Sequence, residues 1–215
     1  MNLTPVDEED KWKNFGFQSP LISLFKNFHP LNEAIESIIN AQTFPVYFAK
    51  HKHIASPQKR NRYIFLIIKG AAHGYLKIGS KKITTWIAVE NELAGTIRNL
   101  WTDEVSEEYI ESIEPIVAIA VPHEMSKLLY QQFEIANYVG RKIMEIHYRS
   151  AFERAFICRL PTAKKRYDRF ILSYPRLLER VPLKYIASFL GMRMETLSRI
   201  RSGLNKAKAA LANVV

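Results

Sequence analysis

The spacing of apolar residues changes twice along the chain and divides it into three parts. Between residues 20 and 40, apolar side chains recur every three or four positions around Pro30, which predicts two short helices. From residue 44 to residue 121 the pattern shifts to short β-type runs separated by turn residues, as in YIFLII at 63–68. From residue 123 onward the pattern is helical. The sequence therefore predicts an α+β fold built around an antiparallel barrel or sandwich.

Breaks in these patterns predict four segments. They are an N-terminal arm over residues 1–20, a β-roll with flanking helices over 21–122, a short and a long helix over 123–160, and a C-terminal helical domain over 161–215. The last boundary follows from Leu160-Pro161-Thr162, because the proline interrupts the long helix. Thr162 is a suitable N-cap for the next helix, which we predict over 163–173.

Composition narrows the class of protein. The chain has 215 residues of which 47% are hydrophobic, enough for a packed core. No run approaches the roughly 20 apolar residues of a membrane-spanning helix, and an N-terminus with Asp7 to Asp10 lacks a signal-peptide pattern. We therefore expect a cytoplasmic protein with no membrane partner. Cys158 is the single cysteine of the sequence, which excludes an intrachain disulfide and a four-cysteine iron–sulfur cluster.

Charge is segregated along the sequence. Residues 149–215 carry 15 Lys and Arg against 4 Asp and Glu, a net charge of +11, whereas residues 1–148 carry 16 against 17, a net charge of −1. Such a distribution is expected of a surface that neutralises phosphates. The alternative is a solvated basic face without a partner, so the motifs in this region decide between the two.

The segment LKYIASFLGMRMETLSRIRSGL at 183–204 fits a helix-turn-helix. Four aliphatic residues occupy positions where the two helices face each other: Ile186, Leu190, Leu197 and Ile200. Between them, small Ala187 lets the second helix cross closely, and Gly191 can take the positive φ of a tight turn. Residues 205–215 are too few for a β-hairpin wing, and we predict that they extend the last helix.

Helical geometry then places a polar face of the second helix toward solvent. Its candidate base-contacting residues are Arg193, Met194, Glu195, Ser198, Arg199 and Ser202. Arg199 can donate two hydrogen bonds to a guanine and Glu195 can accept one from a cytosine, although Glu195 can also pair with Arg199 within the helix. Candidate phosphate contacts are Lys164, Lys165, Arg166, Arg169, Lys184, Thr196, Arg201, Lys206 and Lys208.

The long helix carries a further apolar pattern. Ala136, Val139, Ile143 and Ile146 alternate in steps of three and four, with Gly140 beside them, as in the seam of a coiled coil. The seam can pair with a second copy of the chain or pack on the chain's own β-roll. We favour the dimer seam, because dimeric DNA-binding proteins need one.

The order of a β-roll, a long helix and a helix-turn-helix containing METLSRI resembles the Crp/Fnr family of cyclic-AMP-receptor-like regulators. The stretch RYDRFILSYPRLLERVPLKYIASFLGMRMETLSRIRSGL resembles the C-terminal domain of the branch common in Bacteroidetes. The resemblance implies a cyclic-nucleotide-binding-like β-roll of the double-stranded jelly-roll type, and a homodimer on a palindromic promoter site. It implies base contacts at Met194, Glu195 and Arg199. It also implies three partners, which are double-stranded DNA, a second copy and RNA polymerase.

The effector region departs from the nucleotide-binding members, whose phosphate cassette joins a Gly-Glu pair to an Arg-Ser/Thr pair. Here Gly95-Thr96 and Ser106-Glu107 correspond to these pairs. A buried cyclic phosphate needs a bidentate cation, whereas Glu107 would repel it. We expect no cofactor and no cyclic-AMP binding in the usual manner, and the effector is unknown. The candidate effector pocket comprises Gly70, Gly95, Thr96, Arg98, Ser106 and Glu107, with Arg98 as a substitute cation.

Other chemistry finds little support in the sequence. His51 and His53 would share a face of a strand, but no third metal ligand is recognisable nearby. Neither a phosphate-binding glycine loop nor a nucleophile motif is present, so we expect no catalytic residues, no metal site and no enzyme. The sequence favours a DNA-binding transcription regulator. The alternatives are a sensing or protein-interaction module that has lost DNA binding, or a true cyclic-nucleotide-responsive activator.

Overall fold

The computed structural model describes residues 11–97, 100, 102 and 104–212, with side chains as far as Leu204. The helices in these residues are α1 (Pro20–Lys26), α2 (Glu33–Gln42), α3 (His123–Gln132), α4 (Glu134–Arg159), α5 (Ala163–Ser173), α6 (Leu183–Phe189) and α7 (Met194–Ala212). The strands are β1 (Phe44–Phe48), β2 (His53–Ala55), β3 (Tyr63–Lys69), β4 (Ala72–Ile78), β5 (Lys81–Ala88), β6 (Leu93–Ala94), β7 (Tyr109–Ser112) and β8 (Ile116–Pro122). Short 3-10 turns lie at Lys13–Phe15 and Pro175–Leu177.

The strands form two four-stranded sheets, in the orders β1-β8-β3-β6 and β2-β7-β4-β5. The pairings of β8 with β1 and with β3 are antiparallel, with Phe44 opposite Ala120 and Tyr63 opposite Pro122. Most neighbours within each sheet are distant in sequence, as in a jelly-roll-type β-roll. The predicted antiparallel β-domain is therefore confirmed.

Helices α1 to α3 cover one sheet and close the core of the N-terminal part. Leu66, Ile119 and Val121 of that sheet pack with buried aliphatic residues of the helices, among them Ile39 and Met125. The two helices predicted on either side of Pro30 are present. The second begins where it does because the Asn32 side chain accepts a hydrogen bond of 2.9 Å from the Ile35 N–H, which caps the helix.

The chain forms two compact units. One comprises the chain to Leu76 together with Ile87–His147, and the other comprises Lys77–Trp86 together with the chain from Tyr148 onward. The second unit therefore includes the outer part of the β4–β5 hairpin and the end of α4, which the predicted segments had assigned to other domains.

Within the C-terminal unit, α5 has the predicted bounds. The Thr162 hydroxyl accepts a hydrogen bond of 3.2 Å from the Lys165 N–H, so the predicted N-cap is confirmed. The core of this unit is aromatic, with Phe170 and Phe189 ring centroids 5.5 Å apart. Ile157 of α4 is also fully buried.

In the N-terminal half of α4, part of the predicted dimer seam is buried within the chain itself. Ala136 and Val139 are buried within the chain itself, and a Cβ on Gly140 would lie 2.6 Å from the Tyr130 ring. This part of the seam packs on α3 and its surroundings, which is the alternative that the sequence left open. Ile143 is half-buried, while Ile146 is 52% exposed. The physical reason is that a coiled-coil spacing identifies an apolar face without identifying what covers it.

Candidate nucleic-acid interface

The helix-turn-helix is formed by α6, a turn at residues 190–193, and α7. The turn closes by the two hydrogen bonds of a Schellman motif: the Met192 N–H donates to the Ala187 carbonyl at 3.0 Å, and the Gly191 N–H donates to the Ser188 carbonyl at 3.1 Å. Gly191 has φ +61°, and a Cβ there would meet nothing within 4 Å. Glycine is therefore favoured by backbone conformation and not by space.

The facing sides of α6 and α7 form the hydrophobic base of the motif. Ile186, Leu190 and Leu197 are fully buried, and Ala187 is 2% exposed. Ile200, the fourth predicted core position, is half-buried. This packing fixes the rotation of α7 about its axis, and so determines which of its residues reach solvent.

All six candidate base-contacting residues are exposed in the structure. Arg193 directly precedes α7, and the other five lie along its first turns. Met194 is an exposed apolar side chain at the start of the helix, 49% accessible. The face combines two cationic, one anionic, two hydroxyl and one apolar group, which is the range of side chains that reads base edges in a major groove.

The candidate phosphate contacts divide into exposed and engaged side chains. Lys164, Lys165 and Lys184 are exposed, although the Lys164 ammonium pairs with Asp168 at 2.6 Å. Thr196 and Arg201 are half-buried. The side chains of Lys206 and Lys208 lie outside the described residues.

Arg169 has a different role from the one expected. Its Nε and Nη2 donate hydrogen bonds of 2.6 and 3.0 Å to the two carboxylate oxygens of Glu153, and Ser173 Oγ donates to the same carboxylate. The bond from Arg169, helped by Ser173, lowers the pKa of Glu153, partly opposed by burial. The bidentate pair ties α5 to α4, so this guanidinium is already used inside the C-terminal unit.

The β4–β5 hairpin adds to this unit. The Thr84 N–H donates a hydrogen bond of 2.9 Å to Ser188 Oγ on α6, and Ser188 Oγ donates one of 3.2 Å to the Lys82 carbonyl. The hairpin tip carries Lys77, Lys81 and Lys82, which are exposed. The C-terminal sequence gave no indication of this contact, because the hairpin lies about 100 residues earlier in the chain.

From Met144 onward, α4 exposes an apolar stripe. Met144, Tyr148, Phe152 and Phe156 follow one another at four-residue intervals and are 43–73% exposed. At about 100° per residue, they occupy a side of the helix nearly opposite to Val139 and Ile143. We name these four residues the α4 stripe.

The predicted effector residues are mostly committed to internal contacts. Thr96 is buried and its Oγ1 accepts a hydrogen bond of 3.3 Å from Asn61, while Ser106 Oγ accepts one of 3.0 Å from the Glu108 N–H. Gly70 lies in the β3–β4 turn, where its N–H donates to Glu90 at 2.8 Å.

The remaining members of the predicted pocket are placed separately. Gly95 packs against Ile64 and lines a small apolar cavity of about 60 Å³. Glu107 is exposed, and Arg98 lies outside the described residues.

His51 and His53, which the sequence analysis considered as metal ligands, lie near the carboxylate of Glu111. Glu111, which is buried, lies 3.8 Å from His51 and 3.5 Å from His53. His51 lies in a turn with φ +61° and not on the strand. Among the described residues, no group of three or more His, Cys, Asp or Glu side chains is arranged to hold a metal ion.

Comparison with solved structures identifies the fold. FixK2 from Bradyrhizobium japonicum aligns with a TM-score of 0.67 and 18% identity, over 77% of this chain and 86% of FixK2. A Crp/Fnr-family transcriptional regulator from Eubacterium rectale gives 0.65 and 16%, over 84% and 88%. The c-di-GMP-responsive global regulator CLP of Xanthomonas campestris gives 0.64 and 12%, over 82% and 93%. No protein-family model and no curated protein matches the chain.

The chain therefore has the fold of the Crp/Fnr regulators, a cyclic-nucleotide-binding-type β-roll followed by a helix-turn-helix. Identities at this level establish the fold alone. In the described part of the chain, none of the helices combines the length and apolar character needed to cross a membrane.

Proposed function

We propose that the protein is a sequence-specific DNA-binding transcription regulator that acts by binding and not by catalysis. The observation that carries this proposal is the exposed face formed by Arg193 and α7, where all six candidate base-contacting side chains are exposed while the α6–α7 core is buried. The net charge of +11 over residues 149–215 supplies the electrostatic attraction to phosphates on which such binding depends. In this role the protein works in the cytoplasm with RNA polymerase as a partner.

The regulator acts as a homodimer on palindromic sites, with two recognition helices about 34 Å apart in successive major grooves. The α4 stripe is the surface that favours pairing, because large apolar side chains exposed side by side mark interaction surfaces. Two antiparallel or parallel copies of such a stripe can bury their aromatic rings against each other. Ile146, which the sequence assigned to the seam, lies on the opposite side of the helix.

Sedimentation of paired variants tests the dimer. Tyr148→Glu places a charge in the α4 stripe, and we expect it to convert the dimer to a monomer at micromolar concentration. Ile146→Glu is the matched control, since it introduces the same charge at a similarly exposed residue of the same helix. A wild-type monomer that still binds single sites tightly would refute the dimer. If only Ile146→Glu dissociated the dimer, the dimer contact would instead lie on the face of α4 predicted from the sequence.

The β-roll is the sensory domain, and it does not bind cyclic AMP in the usual manner. Two facts support this proposal. The hydroxyls of Thr96 and Ser106 are engaged with Asn61 and Glu108, and an exposed carboxylate at Glu107 follows Ser106. An anion at this point would meet repulsion where a nucleotide site needs a bidentate cation.

Selection of genomic fragments by the purified full chain tests the function directly. The experiment is run at physiological salt with and without cyclic AMP. A palindromic motif that emerges in both conditions supports a regulator that is not gated by cyclic AMP. A motif that requires the nucleotide overturns the effector proposal, and failure to enrich any sequence overturns DNA recognition.

A further inference from the structure

Two adjoining cavities open beside the β2–β3 loop of the N-terminal unit. The first, of about 550 Å³, is lined by the loop itself and by side chains of β2 and β3, including Ile54 and Phe65. The second, of about 410 Å³, lies where the loop meets the start of α3. We call them the loop cavity and the α3 cavity. Arg60, Arg62 and Tyr63 line both, so the two spaces share a wall.

The shared wall is strongly basic. Lys59 lines the loop cavity, Lys127 lines the α3 cavity, and the two arginines border both. In the described structure, neither Lys59 nor Arg62 has a carboxylate partner. Glu124 also lines the α3 cavity, but its carboxylate is 3.3 Å from the Lys127 ammonium and is 79% exposed. The balance of charge around the cavities is therefore positive, which favours an anion.

Hydrogen bonds anchor the end of the loop that carries Arg62. Asn61 Nδ2 donates to the Tyr63 carbonyl at 2.9 Å, and Asn61 Oδ1 accepts from the Tyr63 N–H at 3.2 Å. The Arg62 carbonyl accepts a hydrogen bond of 2.9 Å from the His123 N–H at the start of α3. These bonds fix the loop against β3 and α3, and they place Arg62 between the two cavities.

His123 supplies a second and independent sign of a ligand. The residue is only 7% exposed, its ring lines the α3 cavity, and its Nε2 has no hydrogen-bond partner in the described structure. A buried polar atom without a hydrogen-bond partner is costly, and a ligand that hydrogen-bonds to Nε2 would offset that cost. Burial, then Lys127 and Arg60, lower the pKa of His123, partly opposed by the Tyr63 backbone and Glu124. A bound anion would offset the two cations and so favour protonation of this ring.

We propose that these cavities bind a phosphate ester, with its phosphate in the α3 cavity against Arg60, Arg62, Lys127 and His123, and its organic part in the loop cavity. Guanidinium groups suit this role because they donate two parallel hydrogen bonds to phosphate oxygens. The apolar side chains of Ile54, Ala55 and Phe65 provide the surface that an organic group needs.

This site is separate from the residues that correspond to the phosphate cassette. Thr96, Ser106 and Glu107 line neither cavity. A concave site that includes a buried histidine favours a small ligand over a nucleic-acid backbone. Binding here is a property of the β-roll and does not require DNA binding by the C-terminal unit.

Calorimetric titration of the full chain tests the site, with inorganic phosphate and phenyl phosphate as probes. We expect one ion of either probe to bind per chain, with phenyl phosphate tighter because its ring occupies the loop cavity. Arg62→Gln and Lys127→Gln should each weaken binding roughly tenfold or more, as expected for loss of a charge-assisted hydrogen bond. Lys69→Gln is the control, since it removes the same charge from an exposed residue outside both cavities.

Nuclear magnetic resonance reports directly on His123, whose ring signals would not respond to the ligand if its role were only structural. Adding phenyl phosphate near neutral pH should shift the ring nitrogens of His123 toward the imidazolium values, with the signal assigned by its loss in His123→Gln. The absence of saturable binding, equal weakening by Lys69→Gln, or an unchanged His123 signal would overturn the site. Equal affinity for the two probes would overturn the assignment to an ester. If Arg62→Gln weakened duplex DNA binding by the same factor, the loop would instead be a nucleic-acid surface.

Discussion

The backbone N–H of Thr84 donates a hydrogen bond of 2.9 Å to Ser188 Oγ, and so joins a β-hairpin to the first helix of the helix-turn-helix. Thr84 itself is 4% exposed, and the hydrogen bond to Ser188 is partly buried. We expect Ser188→Ala to lower the free energy of unfolding by about 0.5–1.5 kcal/mol, the usual net contribution of one hydrogen bond. Urea denaturation measures this loss.

Amide hydrogen exchange locates the effect of that substitution. Exchange at Thr84 should become faster in Ser188→Ala, because the protecting hydrogen bond is gone. Ser80→Ala, at the exposed turn of the same hairpin, is the control and should leave the Thr84 rate unchanged. Unaltered protection in Ser188→Ala would mean that this contact contributes nothing in solution.

The Glu153–Arg169 pair predicts a pH-dependent contribution to stability. Because the pKa of Glu153 is lowered in the folded state, the pair stabilises the fold above the ordinary pKa of 4.5 and ceases to do so as pH falls through the lower, folded-state value. Glu153→Gln should therefore reduce stability at neutral pH, with the difference from wild type shrinking in acid. Urea titrations at neutral and acidic pH check this, with Glu179→Gln as a control of the same charge change. A difference that does not depend on pH would contradict the assignment.

Gly191 tests the turn of the helix-turn-helix. At φ +61° an alanine is strained by about 1–2 kcal/mol, even though its Cβ would meet no neighbour. Gly191→Ala should lower stability by this amount, and Gly191→Asn should lower it less because asparagine tolerates the left-handed region. Gly203→Ala, also in open space but without positive φ, is the control. Equal stabilities of the two Gly191 variants would show that the backbone conformation is not what matters there.

Arg199 and Lys165 separate base reading from phosphate binding. Arg199→Ala should relax specificity at one base pair in each half-site, with a loss of about 1–3 kcal/mol of discrimination. Lys165→Ala should weaken all sequences alike and reduce the slope of affinity against salt by about one. Fluorescence anisotropy on the selected site and its single-base variants measures both effects. A uniform loss for both variants would reject the division of roles.

His123 predicts a second dependence of stability on pH. Burial, Lys127 and Arg60 lower its pKa, and the Tyr63 backbone and Glu124 partly oppose this shift. Below the ordinary pKa of 6.5, the histidine is therefore protonated in the unfolded chain at pH values where it is still neutral in the folded chain. Wild-type stability should therefore decrease as pH falls from 6.5, and this decrease should be shallower in His123→Gln. Thermal melts across this range measure it, with His29→Gln as the control histidine. Parallel pH profiles of wild type and His123→Gln would contradict the prediction.

The sequence was most informative where one residue type has one geometric use. Thr162 at a break after proline predicted a helix start, and Gly191 between two apolar helices predicted a turn. The spacing of Leu197 and Ile200 was enough to orient α7, because a single helix with one apolar side leaves its other side to solvent. These inferences need local information alone.

Other features depend on long-range contacts that no local pattern contains. The spacing of Ala136, Val139 and Ile146 identified an apolar face of α4, but the face is partly covered by the chain itself while the α4 stripe stays exposed. In the sequence, Arg169 resembles the other basic residues of the C-terminal domain, and only the folded structure shows its pairing with Glu153. The run KRNR at 59–62 offered a signal for the basic cavities, and only its position next to His123 gives that signal a meaning.

Tyr130 and Gly140 illustrate how close packing restricts evolution. The phenol ring of Tyr130 occupies the volume that a side chain at position 140 would need. The two positions are therefore expected to covary among homologues: where glycine is replaced by alanine or a larger residue, the tyrosine should be replaced by a smaller one. A lineage that acquires either change alone passes through a less stable intermediate, so the pair should be inherited together.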